Sequence, residues 1–189
     1  MKDAPSPDAN RLRCTDETFR ISVYEAGHAL TARALGLKLI SMRMLPRPPV
    51  LVSDKTFANN NWDAFIETLE IRIIELFGGQ IAEHSICGTN SCCGGDIARI
   101  DELSRLIAGL RDIEDAESIM FDLEDAALKI FTDPTYRDAV MPMAEFLYHR
   151  ASAGREIISG HDIEAELDKH VPAVPTPGWL KRVFSFGLS

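Results

Sequence analysis

The sequence predicts a mainly α-helical domain with four to six helices and one small sheet. Apolar residues recur at helical spacing through most of the chain, whereas residues 39–45 form a short apolar run with some alternation. The chain has 189 residues, of which 46% are hydrophobic and 26% charged, a balance typical of one globular domain. No apolar run approaches the ~18 residues of a membrane span. At a net charge of −9, no basic cluster indicates nucleic-acid binding.

An arm and a first long helix open the chain. Residues 1–13 are polar, contain two prolines and lack a periodic apolar face, so we expect a disordered arm. Thr15 or Asp16 can cap the helix that follows, because both side chains accept hydrogen bonds from backbone N–H groups. Gly36 is a typical C-terminal stop for this helix.

A small sheet and a second helix are expected next. Prolines follow the run at residues 39–45, which favours a strand at a sheet edge, paired with residues 50–52. Apolar residues at helical spacing predict a helix over residues 62–85. Gly78 and Gly79 lie inside that helix, where each glycine costs about 1 kcal/mol relative to alanine. We therefore expect another backbone to pack closely against them.

The second half of the chain is predicted to be helical after one loop. Residues 87–95 form a loop rich in Gly, Cys and Asn, and residues 96–131 form a long helical region with a break near 109–112. Asp133 followed by Pro134 begins another helix, because aspartate caps and proline fits the first turn. A last short helix ends the domain. The predicted boundaries are an arm at 1–13, a domain at 14–170 and a tail at 171–189.

The stretch Tyr24-Glu25-Ala26-Gly27-His28 contains most of a metallopeptidase motif. In H-E-x-x-H on a helix, the two histidines share one face and bind zinc, and the glutamate serves as general base. Glu25 and His28 stand at the right spacing, but Tyr24 occupies the position of the first histidine. By spacing alone, this incomplete motif also fits a surface glutamate and a core or capping histidine.

The residues around this motif resemble the peptidase domain of the FtsH-type AAA+ zinc metalloproteases. The match covers about residues 16–168 and implies a helical peptidase domain with a small two- or three-stranded sheet beside the active-site helix. No phosphate-binding G-x-x-x-x-G-K-[ST] loop occurs, so we expect no ATP site. The similar blocks follow the family order: Tyr-Glu-Ala-Gly-His-Ala-Leu at 24–30, Leu-Pro-Arg at 45–47, Leu-Phe-Gly-Gly-Gln-Ile-Ala-Glu at 76–83, Cys-Gly at 87–88, Gly-Asp-Ile at 95–97 and Ala-Gly-Arg-Glu-Ile-Ile at 153–158.

The resemblance implies zinc chemistry with an incomplete ligand set. It assigns Glu25 as the general base and His28 and Asp96 as metal ligands, and it leaves Tyr24 at the degenerate ligand position. A phenol with an ordinary pKa near 10 is a poor zinc ligand. If each ligand contributes roughly 3 kcal/mol, losing one weakens binding by about two orders of magnitude. We therefore expect zinc binding to be weak or absent.

The four cysteines leave alternatives open. Cys92 or Cys93 can supply the missing ligand in a Cys-His-Asp site, since a thiolate binds zinc well. A separate structural zinc site can be drawn from His84, Cys87, Cys92 and Cys93, and the third alternative is ordinary thiols. Because the chain begins without an apolar leader, we expect thiols or metal ligands rather than disulfides, and a cytoplasmic location.

Two functions follow from the resemblance. The first is a zinc metalloendopeptidase that acts on flexible peptides without an ATPase module. The second is a non-catalytic pseudo-peptidase that binds a peptide or protein partner. A homo-oligomer stays open, and no nucleic acid or membrane span is expected. The basic and aromatic stretch at residues 179–186 is interpreted as a tail, with docking on a partner or a membrane surface as the alternative.

Overall fold

The computed structural model describes residues 7–44, 49–54 and 61–173, which form seven helices and a three-stranded antiparallel sheet. This confirms a mainly α fold with a small sheet. No helix in those residues combines the length and the apolarity that crossing a membrane requires. The helices are α1 (Pro7–Arg13), α2 (Glu17–Ala34), α3 (Trp62–Cys87), α4 (Gly94–Arg111), α5 (Ala116–Thr132), α6 (Pro134–Ser152) and α7 (Gly160–Leu167), and the strands are β1 (Leu39–Arg43), β2 (Val50–Ser53) and β3 (Ile157–Ser159).

The predicted helix ends are confirmed where a side chain or a glycine sets them. Asp16 caps α2 by accepting a 2.8 Å hydrogen bond from the Thr18 N–H, and Gly36 follows the helix with a φ of 71°. The predicted break in the long helical region falls at Asp112, whose φ of 55° ends α4. Asp133 caps α6 ahead of its proline. These signals are local, so the sequence carries them directly.

The expectation of a disordered arm is wrong for residues 7–13, which form α1. Arg13 forms an ion pair with Glu145 of α6, and its guanidinium lies 4.0 Å from the ring centroid of Phe19. A short polar helix gains its stability from such tertiary contacts rather than from its own propensity. Residues 1–6, and the predicted tail beyond residue 173, lie outside the described residues.

The close backbone approach predicted for the paired glycines occurs at Gly78, where α2 crosses α3, whereas Gly79 faces the side chains of His28 and Tyr24. A Cβ at Gly78 would lie 2.8 Å from the Gly27 carbonyl oxygen and 2.8 Å from Thr31 Cβ. Real Cβ atoms do not approach other atoms this closely, so the crossing requires glycine on both helices. α3 covers one face of α2, and α6, the sheet and α7 cover the others. The helix that carries the motif is therefore the centre of the domain.

The prediction that residues 39–45 form a sheet edge is wrong, because the strand order is β2-β1-β3. β1 is central: Met42 pairs with Leu51 on one side and with Ile158 on the other. The sequence showed no strand at Ile157–Ser159, which is too short to display an alternating pattern. Leu45 lies outside the described residues. Within them, β2 and β3 are the two edge strands.

The expectation that the cysteines are thiols or metal ligands is wrong for Cys14 and Cys87, which form a disulfide. Their Cα atoms are 5.6 Å apart although 73 positions separate them in the chain, because the packing of α2 on α3 brings them together. Closing a loop of that length stabilises the fold by ~4 kcal/mol in the chain-entropy account. The bond also removes Cys87 from the alternative zinc site.

Candidate functional site

α2 and α4 both pack on α3, and this arrangement brings together the residues that carry the resemblance. Tyr24, Glu25 and His28 lie in the middle of α2, and Asp96 lies in the first turn of α4. The Tyr24 and His28 rings meet edge to face, with centroids 4.7 Å apart. Asp96 Oδ2 lies 3.1 Å from His28 Nε2 and accepts a 2.5 Å hydrogen bond from the Tyr24 hydroxyl. The predicted approach of Asp96 to His28 is therefore confirmed, while the roles of these residues stay predictions.

His28 uses both ring nitrogens as donors. Its Nδ1 donates to the Glu75 carbonyl oxygen at 2.8 Å, and its Nε2 faces the Asp96 carboxylate. Burial lowers the pKa of His28, but the hydrogen bond to Asp96 and the charges of Glu25 and Asp96 outweigh it and raise the pKa to about 9. Because both partners are acceptors, the ring carries a proton on each nitrogen at neutral pH. The site thus contains an imidazolium paired with a carboxylate.

Tyr24 completes this cluster as a neutral donor. Burial and the hydrogen bond to Asp96 raise the pKa of its phenol far above the ordinary value. Burial also raises the pKa of Asp96, but the hydrogen bonds and charge of His28 and Tyr24 more than compensate, and the net pKa is lowered. One carboxylate therefore accepts from both side chains. We refer to Tyr24, His28 and Asp96 below as the site cluster.

Glu25 lies beside the site cluster with an unsatisfied oxygen. The residue is 3% exposed, and among the described residues its Oε2 has no hydrogen-bond partner. Burial raises the pKa of this carboxyl to about 7, although the charge of His28 opposes the shift. A buried carboxyl oxygen without a partner costs stability. Such a cost is typical of positions where a water molecule or a ligand completes the hydrogen bonding.

The sequence reasoning missed Glu75, and it singled out Gly79 for close packing without connecting it to the site. Glu75 is fully buried, accepts a 2.9 Å hydrogen bond from the Ser53 hydroxyl of β2 and lies 2.7 Å from Arg72. Gly79 makes room for the imidazole, since a Cβ there would lie 2.6 Å from His28 Nε2. A glutamate between two apolar neighbours of a helix is a detectable signal, because buried carboxylates are rare unless they have partners.

The remaining candidate ligands engage other groups. The Cys93 thiol donates to the Asn90 carbonyl oxygen at 3.0 Å, and burial raises its pKa. Burial and the charge of Glu83 raise the pKa of the Cys92 thiol to about 11, so it stays protonated at neutral pH. His84 is exposed on α3. None of these arrangements presents a thiolate to the site cluster.

The donor set of the site is incomplete for a catalytic zinc ion. Such an ion takes three protein ligands and keeps one open position. Here His28 and Asp96 are two side chains of the kind that bind zinc, and the Tyr24 phenol at the third position donates a hydrogen bond to Asp96. In residues 7–44, 49–54 and 61–173, no group of three or more His, Cys, Asp or Glu side chains is arranged to hold a metal ion. The three side chains of the site cluster hydrogen-bond to one another.

No protein-family model matches the chain, and no curated protein matches its sequence. The FtsH-type resemblance therefore stays a prediction. Its support is the order of the similar blocks and the approach of Asp96 to His28, two residues that are distant in sequence.

The protonation of the site predicts that the protein loses stability as the pH rises above neutrality. His28 has a folded pKa of about 9, above its ordinary value of 6.5, so its stabilising contribution is complete below pH 6.5 and is lost as the pH rises through 9. Glu25 acts in the same direction at lower pH, because its folded pKa of about 7 also exceeds its ordinary value of 4.5. Asp96 has the opposite effect under acid conditions, since its pKa is lowered.

We expect the free energy of unfolding in urea to fall by on the order of 2–3 kcal/mol between pH 6 and pH 10. The His28→Gln variant should be less stable at pH 6 and should show a flatter dependence above pH 7, because the titrating group is gone. An alkaline loss of the same size in His28→Gln would contradict the assignment.

Proposed function

We propose that this chain is an FtsH-type peptidase domain that has become a non-catalytic, peptide- or protein-binding module. The observation that carries the proposal is the 2.5 Å hydrogen bond from the Tyr24 hydroxyl to Asp96, the carboxylate that the resemblance assigns to the metal. That bond, together with the proton on His28 Nε2, satisfies the site without an ion. Glu25 then has no metal-bound water to deprotonate, and nothing polarises a scissile carbonyl.

The binding surface proposed for a partner is the edge strand β2. It lies beside the site, because Ser53 donates to Glu75, whose backbone accepts from His28. Val50 and Val52 are each 41% exposed, and within the described residues β2 pairs only with β1. An extended peptide can add to such an edge through main-chain hydrogen bonds, with its side chains contacting the exposed valines.

A zinc metalloendopeptidase is the second candidate, and a specific observation favours it. Glu25 keeps a buried and unsatisfied carboxyl oxygen next to His28, as a general base awaiting a water molecule would.

The proposed cytoplasmic location has less support than the sequence indicated. The Cys14–Cys87 bond weighs against it, because disulfides persist mainly in oxidising compartments.

Metal analysis and peptide binding test the proposal together. After chelation and dialysis against micromolar zinc, the purified protein is expected to contain no stoichiometric metal and to leave casein uncleaved. The affinity for a fluorescent extended peptide that binds the natural protein should fall in the Val52→Lys variant, because the substitution places a charge on β2. Ile157→Lys is the matched control, since Ile157 is exposed on the opposite edge strand, and it should leave binding unchanged. Stoichiometric zinc with chelator-sensitive cleavage would establish the second candidate instead.

A further inference from the structure

The loop that joins α3 to α4 places Asp96 at the site, and the residues just before Asp96 make few side-chain contacts. Cys93 precedes the helix without a side-chain capping hydrogen bond. Gly94 and Gly95 follow, and a Cβ built at either would meet nothing within 4 Å. Asp96 is the next residue. Because backbone freedom is greatest at glycine, these two residues restrict the position of the Asp96 carboxylate less than other residues would.

One buried carboxylate holds this loop from the side of α3. Glu83 is fully buried in the last turns of α3. Its Oε1 accepts a 3.2 Å hydrogen bond from the Thr89 hydroxyl and a 3.0 Å bond from the Ser91 N–H, and its Oε2 accepts a 3.0 Å bond from the Cys92 N–H. The carboxylate thus binds three donors of a four-residue span that ends two residues before α4.

Arg20 of α2 supplies the countercharge for this carboxylate. Its Nε lies 3.7 Å from Glu83 Oε1, and its side chain is 26% exposed. A buried carboxylate needs both a compensating charge and hydrogen-bond donors. Glu83 has both, so it connects α2, which carries Tyr24 and His28, with the loop that leads to Asp96.

We propose that Glu83 is a positioning residue that fixes Asp96 against His28 and Tyr24 by holding residues 89–92. The inference rests on the proposed function in one respect, since it takes the contacts of Asp96 with His28 and Tyr24 as the resting state of the site. Loss of the carboxylate releases two backbone N–H groups and a hydroxyl, and the two glycines then let the first turn of α4 move. Asp96 loses its fixed place opposite His28 Nε2.

The test is the imidazole NMR spectrum of the full chain at pH 6. In the natural protein, the Nε2 proton of His28 is expected as a slowly exchanging downfield resonance, because Asp96 accepts it in a buried site. Glu83→Gln keeps the size of the side chain but replaces one acceptor oxygen with an NH₂ group. We expect the resonance to be lost to exchange with water in this variant.

Glu70→Gln is the matched control. Glu70 lies on the same helix, is 7% exposed and is paired at 2.8 Å with Arg111, but it has no contact with the loop. It should lower thermal stability and leave the His28 resonance in place. A resonance that survives in Glu83→Gln, or one that is lost equally in Glu70→Gln, would overturn the assignment.

A milder variant decides the question if Glu83→Gln does not fold. Thr89→Val removes a single exposed donor and should shift the His28 resonance, whereas an unchanged spectrum would overturn the proposal. Failure of the proposed function shows separately, in the natural protein, as bound zinc and no Nε2 proton. In that event the readout is zinc affinity. Glu83→Gln and Thr89→Val should lower the zinc affinity relative to Glu70→Gln. Equal zinc affinities in all three variants would overturn the inference.

Discussion

Tyr24→His is expected to raise the zinc affinity of this protein by roughly two orders of magnitude. The new imidazole lies four residues from His28 on the same face of α2, and it removes the phenol that now donates to Asp96. Zinc can then displace the proton on His28 Nε2 and take three protein ligands. Calorimetric titration with zinc measures the affinity, and cleavage of casein, an unstructured substrate, should appear with it.

Two further variants show whether the restored site explains the gain. Tyr24→Phe removes the same hydrogen bond without adding a ligand, so it should gain no zinc affinity. Adding Glu25→Gln to Tyr24→His should keep the metal and abolish the cleavage, because the general base is lost. If Tyr24→His gains neither zinc nor activity, the site has diverged beyond one residue and the binding function stands alone.

Changing Cys92 and Cys93 to Ser in the natural protein checks that neither thiol already serves as a ligand.

Gly27→Ala should lower the free energy of unfolding by ~4 kcal/mol or more, enough to unfold many domains. A Cβ at this position would lie 2.6 Å from Ala82 Cβ and 2.8 Å from the Gly78 carbonyl carbon, and closer still to the oxygen of that carbonyl. A backbone carbonyl inside a helix cannot turn aside, so α2 and α3 must separate. Urea denaturation measures the loss.

Gly109→Ala is the matched control for this substitution. Gly109 also lies inside a helix, but a Cβ there would meet nothing within 4 Å. Alanine should therefore stabilise α4 by about 0.5–1 kcal/mol, because it lowers the backbone entropy lost on folding. Equal effects of the two substitutions would show that the α2–α3 crossing is less tight than the structure indicates.

The sequence predicted those parts of the fold whose cause is local. Asp16 and Asp133 cap helices because their side chains reach the N–H groups of the next turn, and Gly36 ends α2 because it tolerates a positive φ. The same holds for Tyr24 and His28, which share a helix face through their spacing alone. The position of Asp96 was predicted differently, from the order of blocks similar to a known family.

Only the tertiary structure decided which partners distant residues find. Cys14 and Cys87 form a disulfide because helix packing brings them together. β1 lies inside the sheet rather than at its edge because the three-residue strand at Ile157–Ser159 pairs with it. Glu83 accepts hydrogen bonds from the loop before Asp96, and no pattern of residue spacing in the sequence predicts those bonds. The residue types at the site follow from the sequence, whereas their protonation follows from the hydrogen bonds and charges that surround them in the folded chain. The buried phenol and imidazole hydrogen-bond to the partly exposed carboxylate of Asp96, and those bonds depend on distances that the chain acquires only on folding.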